Sequence, residues 1–185
     1  MKASAMFHSA QRYAALMAHA TGLPNDDLYA QIIASQLDGI GALPATLGLQ
    51  EADYSALLSC HFPGFEPYIQ VPENYVVTRA PEYHDLLTLL LEHAPGNLPP
   101  WMAHIVAQGC MADNHLWQDL GLCSREDLSL LMSQNFPQLA KLNEHDMKWK
   151  KFLYKQLCER EGINACRAPS CEYCTDYLKC FGTED

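Results

Sequence analysis

Apolar residues recur at intervals of three and four along most of this chain, and stretches in which apolar and polar residues alternate are scarce. Spacing of three and four places side chains on one face of an α-helix, whereas a half-buried strand requires alternation. The chain has 185 residues, of which 49% are hydrophobic, enough to bury a core without disulfides. The sequence therefore predicts an all-α domain.

Capping residues, glycines and prolines divide this pattern into separate helices. Asn25 is expected to cap a helix that Gly39 ends, and Pro81 to lie in the first turn of another. Ser124 and Asp127 resemble a capping box. The other predicted helices cover residues 9–20, 51–60 and about 146–160, and Pro99 and Pro100 open a further helix that includes Trp101, Ile105 and Val106. An extended loop is predicted at 61–80, in which residues 75–78 could form a short strand.

After Gly162 the helical pattern stops, and the remaining segment is too short and too polar to form a core of its own. We divide the chain into an α-helical body, residues 1–160, and a cysteine-rich tail, residues 161–185. Four of the eight cysteines lie within 15 consecutive positions of this tail: Cys166, Cys171, Cys174 and Cys180. In a reducing compartment such a cluster indicates metal or redox chemistry, so we predict an irregular metal-binding segment.

The spacing of the four cysteines is C-x4-C-x2-C-x5-C. Its first three positions match the opening of the plant-type ferredoxin ligand run. A mononuclear zinc site normally pairs two short cysteine hairpins, and here only Cys171 and Cys174 form one. Pro169 disfavours a helix, and Arg167 and Lys179 offset part of the thiolate charge. Spacing alone leaves structural zinc, disulfides and free thiols open beside an iron–sulfur cluster.

The charge balance and the N-terminus exclude several classes of function. Twelve basic and 22 acidic side chains give a net charge of −10, which disfavours nonspecific binding to nucleic acid. The N-terminus has no apolar run followed by a small-residue cleavage site, and no stretch is apolar enough to span a membrane. We therefore expect a cytoplasmic protein.

Three segments of the chain together resemble a known family. They are NHLWQDLGL followed by SREDLSLLM at residues 114–132, FPQLAKLNEHDMKWKKFLYKQLC at 136–158, and CRAPSCEYCTDYLKCFG at 166–182. These segments are similar to the NifQ family, nitrogen-fixation proteins regarded as molybdenum donors for the iron–molybdenum cofactor of nitrogenase. The resemblance is specific over residues 99–182, and the C-x4-C-x2-C-x5-C run is the hallmark of the family.

This resemblance implies that Cys166, Cys171, Cys174 and Cys180 hold an iron–sulfur cluster that also takes up molybdenum. The protein would be a metallochaperone, a carrier of a mixed molybdenum–iron–sulfur cluster and not an enzyme. Molybdate would be the source of the molybdenum. The recipients that the resemblance implies are the nitrogenase cofactor-assembly scaffold and the nitrogenase iron protein.

Further candidates lie outside the tail. His115, within a turn of Asp119, could be an additional metal ligand oriented by that carboxylate, or could cap a helix. Lys148, Lys151 and Lys155 lie on the side of the last helix opposite Trp149, Phe152, Leu153 and Leu157. These lysines could dock molybdate or an acidic partner, or could form a solvated face.

The other four thiols are interpreted as packing residues: Cys60, Cys110 and Cys123 as core, and Cys158 as half-buried, with a reserve-ligand role as its alternative. Two rival functions remain. One is a zinc-stabilised protein-interaction module, in which the metal only folds the tail. The other is a redox or radical enzyme, against which the fourth thiol counts because radical enzymes that use a cluster typically supply three.

Overall fold

The computed structural model describes residues 2–67, 81–96 and 98–161, with side chains from residue 8 to residue 160. Within these ranges the chain is helical and has no strand. The helices are α1 (Lys2–Met17), α2 (Asp26–Leu37), α3 (Glu51–His61), α4 (Pro81–Glu92), α5 (Trp101–Cys110), α6 (Leu116–Asp119), α7 (Arg125–Asn135), α8 (Pro137–Leu142) and α9 (Trp149–Glu161). The all-α prediction is confirmed for this part of the chain. The segment at 75–78 and the cysteine-rich tail lie outside it.

One continuous core of buried apolar side chains draws on all nine of these helices. α1 packs against α2, α4 against both α5 and α9, and α6 against both α5 and α7. The last helix is therefore part of the helical body. Its N-terminal half buries Trp149, Phe152 and Leu153, as the sequence predicts, while Leu157 is only partly buried.

The loop between α1 and α2 corrects one prediction. α2 begins directly after Asn25, but the Asn25 side chain does not cap the helix. Asn25 has a left-handed backbone with a φ of 74° and exchanges two amide hydrogen bonds with Asn135, at 2.8 and 2.9 Å. The carboxylate of Asp26 instead accepts the backbone N–H groups of Gly22 and Leu23. The predicted helix start was correct and the predicted capping group was wrong.

Asp26 also binds a buried histidine that the sequence did not single out. Its second oxygen lies 2.6 Å from Nδ1 of His61, the last residue of α3, and both side chains are buried. The imidazole makes edge contacts with the rings of Tyr29 and Trp101. This pair joins α2, α3 and α5, and because the carboxylate has all its bonds within the fold, its role is structural.

Other helix boundaries also differ from the sequence prediction. α1 covers Lys2–Met17 and not residues 9–20, and it ends there because His19 and Ala20 bond to the carbonyls three residues before them, as in a 3₁₀ turn. α9 begins at Trp149 and not near Asp146, because the side chain of Asn143 binds both the N–H and the carbonyl of Met147. Asp146 itself has a φ of 48°. Ser124 does cap α7, since its hydroxyl accepts the N–H of Asp127.

Candidate functional site

The four predicted ligands Cys166, Cys171, Cys174 and Cys180 lie outside the described residues, which end with α9 at Glu161. The structure therefore describes the helix that leads into the cysteine-rich tail. Each end of α9 is held to the body by an ion pair. Lys150 provides the pair at its N-terminal end and Arg160 the pair at its C-terminal end.

The N-terminal ion pair is buried. Nζ of Lys150 lies 2.5 Å from Oδ2 of Asp119 and 2.7 Å from the carbonyl oxygen of Ala112. Asn114 donates to the same carboxylate from its backbone N–H and from its side-chain amide, each at 3.0 Å. The Asp119 side chain is 1% exposed and that of Lys150 is 11% exposed. Every donor in this network therefore compensates the burial of one carboxylate.

The segment around Asp119 is also held through its backbone. The Asp119 carbonyl accepts the N–H of Ala42 at 2.8 Å, and the Gly121 carbonyl accepts the hydroxyl of Ser35 at 2.6 Å. A Cβ on Gly121, which has a φ of 74°, would lie 2.5 Å from Cβ of Ser35. Only glycine fits this approach, so residues 114–122 are fastened to both α2 and α9.

His115 is the N-cap residue of α6 and is half-buried. Its backbone N–H donates to the side-chain oxygen of Gln118 at 3.2 Å, one arm of a capping box. The carboxylate that was expected to orient its ring, that of Asp119, binds Lys150 and Asn114. The position is that of a helix cap, and metal binding by His115 stays a prediction.

The C-terminal ion pair of α9 is exposed. Nη1 and Nη2 of Arg160 lie 2.9 and 3.0 Å from the two carboxylate oxygens of Glu92, the last residue of α4. Both side chains are 48% exposed. The next residue after Glu92 is His93, whose Nδ1 lies 2.9 Å from the carbonyl oxygen of Leu89. The end of α4 is thus paired with the last turn of α9, and α9 ends five residues before Cys166, the first predicted ligand of the tail.

The three lysines of the predicted basic face differ in their surroundings. Lys155 is exposed and lies 3.5 Å from Glu159 one turn later. Lys148 and Lys151 are partly buried, and both make interactions. Charge on this face is therefore compensated in part within the chain, and docking of an anion or an acidic partner here stays a prediction.

The four thiols of the body also differ. Cys110 is buried, and burial raises the pKa of its thiol to about 12. Cys158 is half-buried, as predicted. The prediction that Cys60 and Cys123 lie in the core is wrong, because both are exposed. Cys60 occupies the outer face of α3, and Cys123 lies in the loop before α7, where partial burial and then Asp127 and Asp27 raise the pKa of its thiol.

The described ranges contain no group of three or more His, Cys, Asp or Glu side chains placed to hold a metal ion. No helix within them is both long and apolar enough to cross a lipid bilayer. Both statements concern residues 2–67, 81–96 and 98–161 only. Among the predicted metal ligands, His115 and the reserve candidate Cys158 fall inside these ranges.

The match to a family model defines the class of this protein. The model described as NifQ matches residues 28–182, which include most of the helical body and the complete cysteine run. The chain therefore belongs to the NifQ family, whose name associates it with nitrogen fixation. The match begins within α2, well before residue 99, where the resemblance in the sequence becomes specific.

Individual relatives agree with this assignment. Protein NifQ from Azotobacter vinelandii is 44% identical over 168 residues, which cover 83% of this chain and 86% of the relative. Protein NifQ from Rhodobacter capsulatus is 38% identical over 149 residues, 79% of this chain and 81% of the relative. No solved structure has significant similarity to the chain.

Proposed function

We propose that this protein carries a molybdenum–iron–sulfur cluster and supplies its molybdenum for assembly of the nitrogenase iron–molybdenum cofactor. The observation that carries the proposal is the extent of the family match, which runs to residue 182 and contains all four clustered cysteines. In this role the protein binds and hands over a cargo and catalyses no reaction. We place it in the cytoplasm, where thiols remain reduced.

The donor set of the tail suits this cargo. Four thiolates are soft, strongly donating ligands that favour iron–sulfur clusters, zinc and copper(I) over metals that prefer oxygen. Intervals of four, two and five residues between the cysteines can surround a body larger than a single ion. The thiolates would bind the iron of the cluster. The molybdenum could then be taken up from molybdate and released to a recipient.

The described body supports the proposal through the contrast between the two ends of α9. Residues 114–122, which carry part of the resemblance, form the buried network around Asp119 that fixes the N-terminal end of α9. The C-terminal end of the same helix, next to the tail, is held by an exposed ion pair. A helical body with one end of its last helix buried and the other exposed is a suitable arrangement for transfer between proteins.

The proposed recipients are the nitrogenase cofactor-assembly scaffold and the nitrogenase iron protein. The proposed contact with an acidic partner or with molybdate is the basic face formed by Lys148, directly before α9, and by Lys151 and Lys155 of the helix. A triple charge reversal, Lys148→Glu, Lys151→Glu and Lys155→Glu, should slow molybdenum transfer. An unchanged transfer rate in a variant that still binds its cluster would remove this role from the lysines.

The central experiment is anaerobic purification of the full chain, followed by metal analysis and electron paramagnetic resonance before and after addition of molybdate. We expect brown protein that contains iron and sulfide, and a signal that changes when molybdenum is taken up. Cys171→Ser should lose the cluster, whereas Cys123→Ser, an exposed thiol of the body, should retain it. Colourless protein that holds one zinc after cluster reconstitution would contradict the proposal and favour the interaction module.

His115 can be tested in the same preparation. If it is an additional ligand, His115→Ala should lower the molybdenum content and leave the iron content unchanged. Equal molybdenum loading in the variant and the wild-type protein would limit the role of His115 to capping α6.

A further inference from the structure

A groove of about 380 Å³ lies between the loop that precedes α2 and the outer face of α7. Its apolar lining consists of the buried Leu28, the partly buried Met17 and Ala20, and the exposed Leu23 and Leu130. Leu23 is 42% exposed and Leu130 is 45% exposed. A single leucine in water needs no explanation, but two that face one groove form an apolar surface of the kind that marks an interaction site.

The loop that carries Leu23 is held in place by side chains on both sides. The Asp26 carboxylate accepts the backbone N–H groups of Gly22 and Leu23, at 2.7 and 3.0 Å. Asn25 exchanges two side-chain amide bonds with Asn135, the last residue of α7. These bonds fix the two walls of the groove relative to each other. A preformed surface loses less conformational entropy when a partner binds.

One end of the groove is acidic. Asp27 lines it, and the hydrogen bonds described for its carboxylate come from the Tyr13 hydroxyl and the Gln31 amide, which are neutral donors. Asp127 lies in the first turn of α7. Partial burial and then Asp127 and Asp27 raise the pKa of the Cys123 thiol, so both carboxylates lie close to this thiol. The described residues that line the groove include no lysine or arginine.

This chemistry selects among possible occupants. Small ligands are usually enclosed by their sites, whereas the two leucines remain in water. A peptide that adds a strand requires a sheet edge, and the groove lies against helices. A second copy would bring another acidic surface to this one, in a chain whose net charge is −10. A helix with an apolar stripe and positive charge at one end meets both features of the groove.

We propose that this groove binds an amphipathic helix of a partner protein. Apolar side chains spaced three and four residues apart would lie between Leu23 and Leu130, as in other helix-in-groove complexes. Lysine or arginine side chains would pair with Asp27 and Asp127, and because the negative charge is at one end, they would also set the direction of the helix. The inference is independent of the cargo, since all of these residues belong to the helical body.

The test measures binding of a fluorescent peptide to the full chain by anisotropy, under reducing conditions. The peptide is an alanine-based helix with leucines three and four residues apart and lysines at one end. Two matched peptides carry glutamates in place of the lysines, or serines in place of the leucines. Leu130→Ser shortens one wall, and Leu142→Ser is its control, because Leu142 is exposed and does not line the groove. Asp27→Asn removes the charge but can still accept from Tyr13. Its control is Asp113→Asn, at an exposed position.

We expect wild type, Leu142→Ser and Asp113→Asn to bind the peptide equally. Leu130→Ser should raise the Kd at least about tenfold, and Asp27→Asn about threefold, with a weaker dependence of the Kd on salt. Both altered peptides should bind at least about tenfold more weakly than the original peptide.

Three results would overturn the inference: equal Kd values for Leu130→Ser and Leu142→Ser, equal binding of the glutamate peptide, or no binding of the lysine peptide to wild type. Sedimentation velocity of the protein alone tests the second copy as the occupant. A dimer that Leu130→Ser dissociates would assign the groove to self-association and would also overturn the inference. A wild-type monomer would support it.

Discussion

The two ends of α9 are held by ion pairs of similar chemistry in opposite surroundings. Lys150 and Asp119 are almost completely buried, and the carboxylate receives further bonds from Asn114. Arg160 and Glu92 are both about half exposed. An exposed pair contributes little to stability, because water serves both groups almost as well, whereas the loss of one partner from a buried pair leaves an uncompensated polar group. The fold therefore depends on one end of α9 far more than on the other.

This difference agrees with the positions of the two ends in the sequence. The buried end contacts residues 114–122, which are bonded to α2 through the Gly121 carbonyl and to the loop after α2 through the Asp119 carbonyl. The exposed end precedes the cysteine-rich tail. Substitutions at the exposed end of α9 should therefore disturb the core less than substitutions at the buried end. The comparison can be tested by substitutions at each end.

The largest effect is expected at the buried end. Asp119→Ala removes the acceptor of Lys150 and of both Asn114 donors, and should lower the free energy of unfolding by about 3–5 kcal/mol. The measurement is urea denaturation of the full chain followed by circular dichroism. Asp113→Ala is the matched control, because Asp113 is exposed, and should change stability by less than about 0.5 kcal/mol.

A double-mutant cycle with Lys150→Ala sharpens this test. If the two side chains act as one network, the free energy of unfolding should fall less in the double variant than the two single variants add up to. The difference should be roughly 1–3 kcal/mol. A loss below about 1 kcal/mol in Asp119→Ala would mean that the buried end is no more important than the exposed one.

The sequence predicted the face of α9 but not its attachment. Trp149, Phe152 and Leu153 were correctly assigned to the core, because helical periodicity reports which side of a helix is apolar. Lys150 was not singled out, because nothing in the periodicity distinguishes a lysine that meets a buried carboxylate 31 positions away from one in solvent. Pairing over such distances depends on how the helices pack.

The candidate site shows the same limit. The spacing of the four cysteines and the resemblance indicate the class of cargo, since ligand spacing along a short segment is a local property. The pairing of Arg160 with Glu92 is not local, because it depends on the packing of α4 against α9. Cys60 and Cys123 were placed in the core because their neighbours are apolar, but Cys60 lies on the exposed face of α3 and Cys123 in an exposed position of the loop before α7.

A smaller effect is expected from the thiol near the buried end. The folded protein holds Cys110 neutral, with a pKa of about 12, whereas the unfolded thiol has a pKa near 8.5. Between these values the unfolded state binds fewer protons than the folded state. Stability should therefore fall as the pH rises through this range, by up to about 1.4 kcal/mol per pH unit from this group.

Cys110→Ala removes the titrating thiol, so the stability of the variant lacks this dependence on pH. The difference in the free energy of unfolding between wild type and variant should therefore become smaller by about 2 kcal/mol from pH 8 to pH 10. Unfolding measured at both values checks this expectation. Cys158→Ala is the control, because Cys158 is a half-buried thiol near the exposed end of α9. Parallel stability profiles for wild type and Cys110→Ala would show that the buried end does not hold a neutral thiol.

The smallest effect is expected from Arg160→Ala at the exposed end. Removal of the guanidinium leaves Glu92 in contact with water, so the free energy of unfolding should fall by no more than about 1 kcal/mol. Hydrogen exchange should report the change locally: the last-turn amides of α9 should exchange faster, while those near Phe152 keep their protection. A loss as large as that of Asp119→Ala would contradict the contrast between the two ends, because the exposed pair would then stabilise the whole body and not only the helix end beside the tail.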